Sequence, residues 1–308
     1  MAAKQSTSRS WIDRWTKYLA LFILIGGLGF GIYYYIDRYF YPSEPLTKRE
    51  ARRLEDLIRR DPGNAELRWQ IALLYWEEGR TDNAIAQSKE AITINPAHEP
   101  ALATLGNIYV ELKRYQEALE PLLKVVDLNK ENPYRLENKR LEAVYYWLGM
   151  SYLGLARPQE AAAALKDALT IDRTDADAHY MLGNAYLQLG SYPEAVGSYR
   201  QATRFVFDFQ EAYQGLTSAY EKMGDAARTS YARGMVAFSG KNYDAAIAEL
   251  QRATQALPDF ADGFFGLGLA YERKGQKDKA IENYEATLRL DANHFLAGIR
   301  LQALRQGT

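Results

Sequence analysis

Leu182-Gly183-Asn184-Ala185-Tyr186, with His179 three residues before the Leu, has close copies elsewhere in this 308-residue chain. The shared pattern is a bulky residue, two free positions, Leu-Gly, two free positions and Tyr. It returns as Leu102, Leu105, Gly106, Tyr109; as Tyr145, Leu148, Gly149, Tyr152; and as Phe264, Leu267, Gly268, Tyr271. Looser copies are Arg68, Ile71, Ala72, Tyr75 and Tyr213, Leu216, Thr217, Tyr220. Nine residues beyond the Tyr an Ala opens a second apolar stretch, at Ala84, Ala118, Ala161, Ala195 and Ala280. Seven further on stand Ala91, Val125, Ala168 and Ala202. Within each copy the apolar residues fall at helical spacing, as in Leu148, Tyr152, Leu155 and then Ala161, Leu165, Ala168, Leu169. Turns such as Glu78-Gly79-Arg80-Thr81-Asp82 separate the two helices of a copy. Gly at the Leu-Gly position stands where those helices would cross, and the following Tyr fills the space beneath. One helix pair cannot bury both its apolar faces, so the copies must stack into an all-α solenoid.

The pattern resembles the tetratricopeptide repeat family, from about Leu46 to the end of the chain. The resemblance implies a superhelix of about six repeats over residues 46–306, with a half-repeat and capping helices. It implies no cofactor and no metal. It also implies a concave face built from the second, fifth, ninth and twelfth positions of each first helix. By register these positions hold Trp69, Trp76, Asn107, Tyr146, Tyr180, Asn184, Tyr231, Phe238 and Phe265, which become the candidate partner-binding groove. Aromatic side chains in such a groove suit an extended or helical peptide. Some family members clamp a chaperone's C-terminal carboxylate with Lys, Arg and Asn. Asn107 and Asn184 match that clamp's Asn, but Ala103, Glu211 and Gly215 stand where basic residues would be needed. Without charge-assisted hydrogen bonds such a site is weak.

Two register faults break the period. Copies start at Ala65, Glu99, Glu142, Ala176, Gln210, Ala227 and Ala261, mostly 34 residues apart. The step from Glu99 to Glu142 carries nine extra residues. Asn132-Pro133 reads there as an N-cap and first helical residue, predicting a first helix that projects by about 13 Å, with an unstructured loop as the alternative. The step from Gln210 to Ala227 is half a repeat, 17 residues. It predicts either a skipped helix or one helix in both roles, with the weakest coupling in the array. Residues 47–60 and 295–305 read as capping helices.

Ahead of the array, residues 18–36 contain no charge, Pro, Asn or Gln. Nineteen residues of helix reach about 28 Å, close to the roughly 30 Å hydrocarbon core. Trp11, Trp15 and Tyr18 at one end and Tyr33, Tyr34, Tyr35, Tyr39 and Tyr41 at the other match interfacial belts. Those tyrosines sit where a cleavable signal peptide would need small residues. The reading is a tail (1–17), a single transmembrane helix (18–36), a linker (37–45) and the array. Lys4, Arg9, Arg14 and Lys17 in the tail predict a cytoplasmic N-terminus and an extracytoplasmic array. Gly27 and Gly31 have the spacing for weak self-association of such helices.

Composition excludes other classes. There is no Cys, and the three His (His98, His179, His294) lie in different repeats, so neither a thiolate site nor a converging His site is expected. Phosphate-loop, HExxH and GxSxG patterns are absent from the sequence, so no enzyme is expected. A net charge of −1 disfavours nucleic acid as a partner. The sequence therefore points to a single-pass inner-membrane protein of a bacterial cell, whose array recruits or assembles protein partners. The alternative is a permanent structural subunit of a larger membrane complex.

Overall fold

The structure is a computed structural model that describes residues 46–306 and, before them, Gly29, Ile32 and Tyr35, which are helical and exposed. The expected span 18–36, including Gly27 and Gly31, otherwise lies outside the described residues. Among the described residues no helix is long and apolar enough to cross a membrane.

Helices and turns account for the described array. The first half runs α1 (Leu46–Arg60), α2 (Ala65–Glu77), α3 (Thr81–Ile94), α4 (Glu99–Glu111), α5 (Tyr115–Leu128), α6 (Lys139–Gly154) and α7 (Pro158–Ile171). The second runs α8 (Ala176–Leu189), α9 (Tyr192–Phe205), α10 (Gln210–Met223), α11 (Ala226–Ser239), α12 (Tyr243–Ala256), α13 (Ala261–Arg273), α14 (Lys277–Leu290) and α15 (Phe295–Gln306). Each helix packs on the next, and even- and odd-numbered helices form two layers.

The Leu-Gly positions are the crossing points. A Cβ on Gly106 would lie 2.4 Å from Leu122, and one on Gly149 would lie 2.5 Å from Leu165. Tyr199 is clasped from both sides, its ring 2.5 Å from a Cβ on Gly183 and 2.4 Å from one on Gly215. The repeat Tyr closes the turn in a way the periodicity did not reveal. Five residues after it, Arg80, Arg114 and Arg157 donate their backbone N–H to the carbonyls of Tyr75, Tyr109 and Tyr152 at 2.7–2.8 Å. Their guanidinium carbons lie 3.8, 4.6 and 4.8 Å from the same rings, a cation–π contact that pins the turn.

The nine-residue insertion corrects the expectation of a projecting helix. α6 starts at Lys139, only three residues ahead of the register position Glu142. The insertion instead folds into a turn and a short 3₁₀ helix, Arg135–Glu137. The cause is Asn129, which is buried. Its Nδ2 donates to the Val125 carbonyl at 3.0 Å, and its Oδ1 accepts from Asn132 Nδ2 at 3.2 Å and Asn138 Nδ2 at 3.1 Å. Asn138 Oδ1 then accepts from the N–H groups of Arg140 and Leu141. The true N-cap is Asn138, and Asn132 caps only the turn, through Tyr134 N–H.

The half-repeat resolves as one helix in two roles. α11 follows α10 as its second helix and precedes α12 as its first. Next-but-one contacts make the consequence visible. They link α2 to α4, α4 to α6, α6 to α8 and α8 to α10, all in the even layer, and then α11 to α13, in the odd layer. The row of first helices therefore changes layer at α10–α11. The joint is filled, not loosened. One apolar core runs without a break from Ala195 to Leu301, while the small core between α7 and α8 holds only Ala161, Ala162, Leu165, Ala178, Leu182 and Ala185 as buried members. The expectation of weakest coupling at the half-repeat is corrected accordingly, because aromatic rings occupy the joint and alanines occupy α7–α8.

At the ends, α1 buries Ala51, Leu54 and Ile58. α15 buries Ala297 and Leu301 but leaves Phe295, Leu296 and Ile299 exposed, so it caps the array incompletely.

Two measurements test this packing. Backbone amides of α10–α13 should exchange with deuterium more slowly than those of α7–α8, since local opening follows apolar contact density. Gly183→Ala or Gly215→Ala should destabilise by about 1–3 kcal/mol in urea unfolding, because the Tyr199 ring has no free side to move into. That cost exceeds the roughly 0.8–1.0 kcal/mol helix-propensity gain of Gly→Ala. Gly106→Ala, facing a Leu that can change rotamer, should cost less.

Candidate functional site

The even layer presents the first helices α2 to α10. Trp69, Trp76, Asn107, Tyr146, Tyr180 and Asn184 stand on these helices, each half-buried. The fifth-position rings have a structural task that register alone did not disclose. Each reaches the N-cap residue of the next first helix. Trp69 packs on His98 with centroids 6.0 Å apart, Tyr180 on Phe209 at 5.1 Å, Tyr231 on Phe260 at 4.9 Å and Phe265 on His294 at 4.4 Å. Trp69 Nε1 also donates to Thr104 Oγ1 at 3.0 Å. His98 and His294 are matching caps, each Nδ1 accepting an N–H, from Ala101 and Ala297, at 3.2 Å. The rings are thus struts between repeats. Asn184 is partly committed inward, its Oδ1 accepting from the Tyr199 hydroxyl at 2.7 Å.

Tyr146 breaks the series, since Asp175 replaces a ring at the next N-cap. Asp175 Oδ1 accepts from the N–H groups of Asp177 and Ala178. Burial pushes the Tyr146 phenol up to about 12, with Asp177, Asp175 and Glu111 adding to the shift. Burial also raises Asp177, with Asp175 and Glu211 contributing. Glu142 is pushed up to about 7, first by burial and then by the Asp175 carboxylate, against the opposing charge of Lys139. Lys139 Nζ donates to Asp172 at 2.6 Å, and this bond holds the Asp172 carboxyl well below its usual range. The middle of the even layer is therefore a field of carboxylates beside Tyr146 and Tyr180.

The remaining candidates do not share that layer. Tyr231 and Phe265 stand on α11 and α13, in the odd layer, and line a cavity of about 680 Å³ with residues of α9, α10 and α15. Phe238 lines neither surface. It is 6 % exposed and packed between Phe207 and Tyr243, because the short turn after α11 folds α12 back over it. The register placed all nine residues in one groove, and the layer change divides them. Missed by that register were Phe207, Arg200, Arg204 and Phe295 around the odd-layer cavity. Its one available signal was the 17-residue step itself.

A tetratricopeptide repeat profile matches residues 49–99, 146–206, 210–259 and 231–295, and a second matches 75–135. The chain belongs to the tetratricopeptide repeat family. Two of those matches overlap over residues 231–259, which take in part of the dual-role helix α11 and all of α12. Cellulose synthase operon protein C of Escherichia coli strain K12 is 34 % identical over 80 residues, which is 26 % of this chain and 7 % of that protein. A tetratricopeptide repeat protein of Parabacteroides merdae shares the fold over 89 % of this chain and 95 % of its own, with 16 % identity and a TM-score of 0.50. YrrB, described as a tetratricopeptide repeat protein with an unusual peptide-binding site, aligns over 81 % of this chain and 97 % of its own, with 18 % identity and a TM-score of 0.43. Repeat arrays of this family present surfaces for other polypeptides.

The Glu142 shift gives a pH test. From its ordinary 4.5 up to about 7, the folded chain holds a proton that the unfolded chain has lost. Stability from this group is therefore full below the unfolded value and falls as pH rises through the folded one. Glu142→Gln should flatten the fall in melting temperature between about pH 5 and pH 7.5, measured by calorimetry of the two proteins side by side.

Proposed function

We propose that this tetratricopeptide repeat chain is a membrane-anchored adaptor that recruits or assembles polypeptides on its even-layer furrow. The observation that carries the proposal is the pairing of half-buried aromatic faces with carboxylates that are only partly compensated by bases, along Tyr146 and Tyr180. Such a surface favours an extended partner segment bearing Lys or Arg among apolar residues. Its cations would sit over the phenol rings and beside Asp177, Glu211 and Glu111. In this reading residues 18–36 cross an inner membrane once, residues 1–17 stay in the cytoplasm and the array stands outside it. The anchor and its direction rest on the uncharged 19-residue span, its aromatic ends and the basic tail.

Photoreactive residues test the furrow in native membranes. Placed at Tyr146 or Trp76 they should capture a partner, while Leu123, exposed on α5, should capture little. The reverse pattern removes the furrow from the proposal. In a separate co-purification without cross-linking, release of the partner by salt marks an adaptor, and fixed-stoichiometry retention after detergent extraction marks a permanent subunit. The lack of Cys allows a clean topology test. A membrane-impermeant maleimide added outside the inner membrane should label a Cys at Gln306 and spare one at Ser6.

A further inference from the structure

The layer change at α11 gives the chain a second inner surface, on the opposite side of the solenoid from the first. Its cavity, about 680 Å³, lies within the roughly 300–1,000 Å³ range of pockets that bury most of a ligand. Phe207, Tyr231 and Phe265 form an aromatic floor, with Phe207 and Phe265 6.3 Å apart at 72°. One wall is α9, where Arg200 and Arg204 stand one helical turn apart and both face the cavity. Arg200 reaches over α11 to Asp262 of α13, Nη2 to Oδ2 at 3.1 Å, which braces the two walls. Arg204 has no carboxylate partner among the described residues. The other wall begins α15, where Phe295 is 75 % exposed beside Leu296. Asp291, on the same wall, accepts the Asn293 N–H through its Oδ1.

We infer that this odd-layer cavity is a second docking site, for an extended polypeptide segment that carries Asp or Glu next to an aromatic residue. The aromatic side chain lies on the Phe207–Phe265 floor against Phe295, and the carboxylate meets Arg204 and the free edge of Arg200. A guanidinium without a partner, next to a desolvated apolar floor, rewards a carboxylate with a charge-assisted, two-pronged hydrogen bond. A basic segment would bring its cations against two arginines, so the two furrows select segments of opposite sign. The chain therefore bridges two polypeptides, one on each layer, and this site stands independently of the even-layer furrow.

The test uses the full-length chain in a non-ionic detergent and fluorescence anisotropy. The probe is an end-capped, labelled peptide with two Asp and two Phe in a Gly/Ser background. Comparison peptides carry Asn or Lys in place of Asp. The Asp peptide is expected to bind, and Arg204→Glu should weaken it about tenfold or more. Phe295→Ser, at an exposed position, should weaken it severalfold, and both variants should keep the wild-type helical circular dichroism. Equal binding of the Asn peptide, no response to Arg204→Glu, or no binding of the Asp peptide at millimolar concentration overturns the inference. So does a concentration-dependent dimer that Phe295→Ser abolishes, because the occupant is then a second copy of the chain. Loss of the Lys peptide alone would bear on the even-layer furrow and leave this site standing.

Discussion

The close crossing of paired helices is the contact on which the array depends. At each Leu-Gly position the backbone of one helix lies against a branched or aromatic side chain of the next, with no room for a Cβ between them. Leu122 and Leu165 each fill one crossing, and Tyr199 fills two, because Gly183 and Gly215 approach its ring from opposite sides. Close approach lets short helices bury a large share of their surface, and interior packing at that density leaves few alternative arrangements. Neighbours are then bound through interfaces of nearly constant geometry. The stack grows by repetition, and each repeat contacts only what lies beside it.

Repetition makes the exceptions informative. Nine inserted residues might have lengthened a helix, but the buried amide of Asn129 ties both Asn132 and Asn138 and leaves α6 a fixed start. A missing half-repeat might have opened a gap, but α11 takes both roles and the joint fills with Phe207, Tyr213, Tyr231, Phe260 and Phe265. The same event moves the inner row from one layer to the other. The next-but-one contacts thereby pass from the even helices to the odd ones, and the chemistry beside them differs. Carboxylates gather by Tyr146 on the even layer, and guanidiniums border the aromatic floor of the odd-layer cavity.

The candidate groove residues share in the scaffold. Trp69, Tyr180, Tyr231 and Phe265 hold one repeat against the N-cap of the next. A ring clamped on one side loses little freedom when a ligand covers the other, and preorganisation of this kind favours binding. Where the strut is absent, at Tyr146, a carboxylate stands in for the ring and the local charge turns acidic.

Helix identity, pairing and period were all legible from residue spacing, since the apolar positions of a repeat must recur wherever the same interface recurs. Trp69, Tyr146 and Tyr180 were legible as surface candidates for the same reason, and the 17-residue step already announced an irregular joint. The layer on which Tyr231, Phe238 and Phe265 would face was not legible, because facing is a property of how α11 sits between two neighbours and not of its own pattern. Arg200 and Asp262 lie 62 residues apart, and no local periodicity relates them. The late start of α6 likewise came from a side chain nine residues upstream of its N-cap. Spacing therefore determined that helices pair and stack, whereas tertiary packing decided which faces turn inward, since only three-dimensional contact can measure one helix against two others at once.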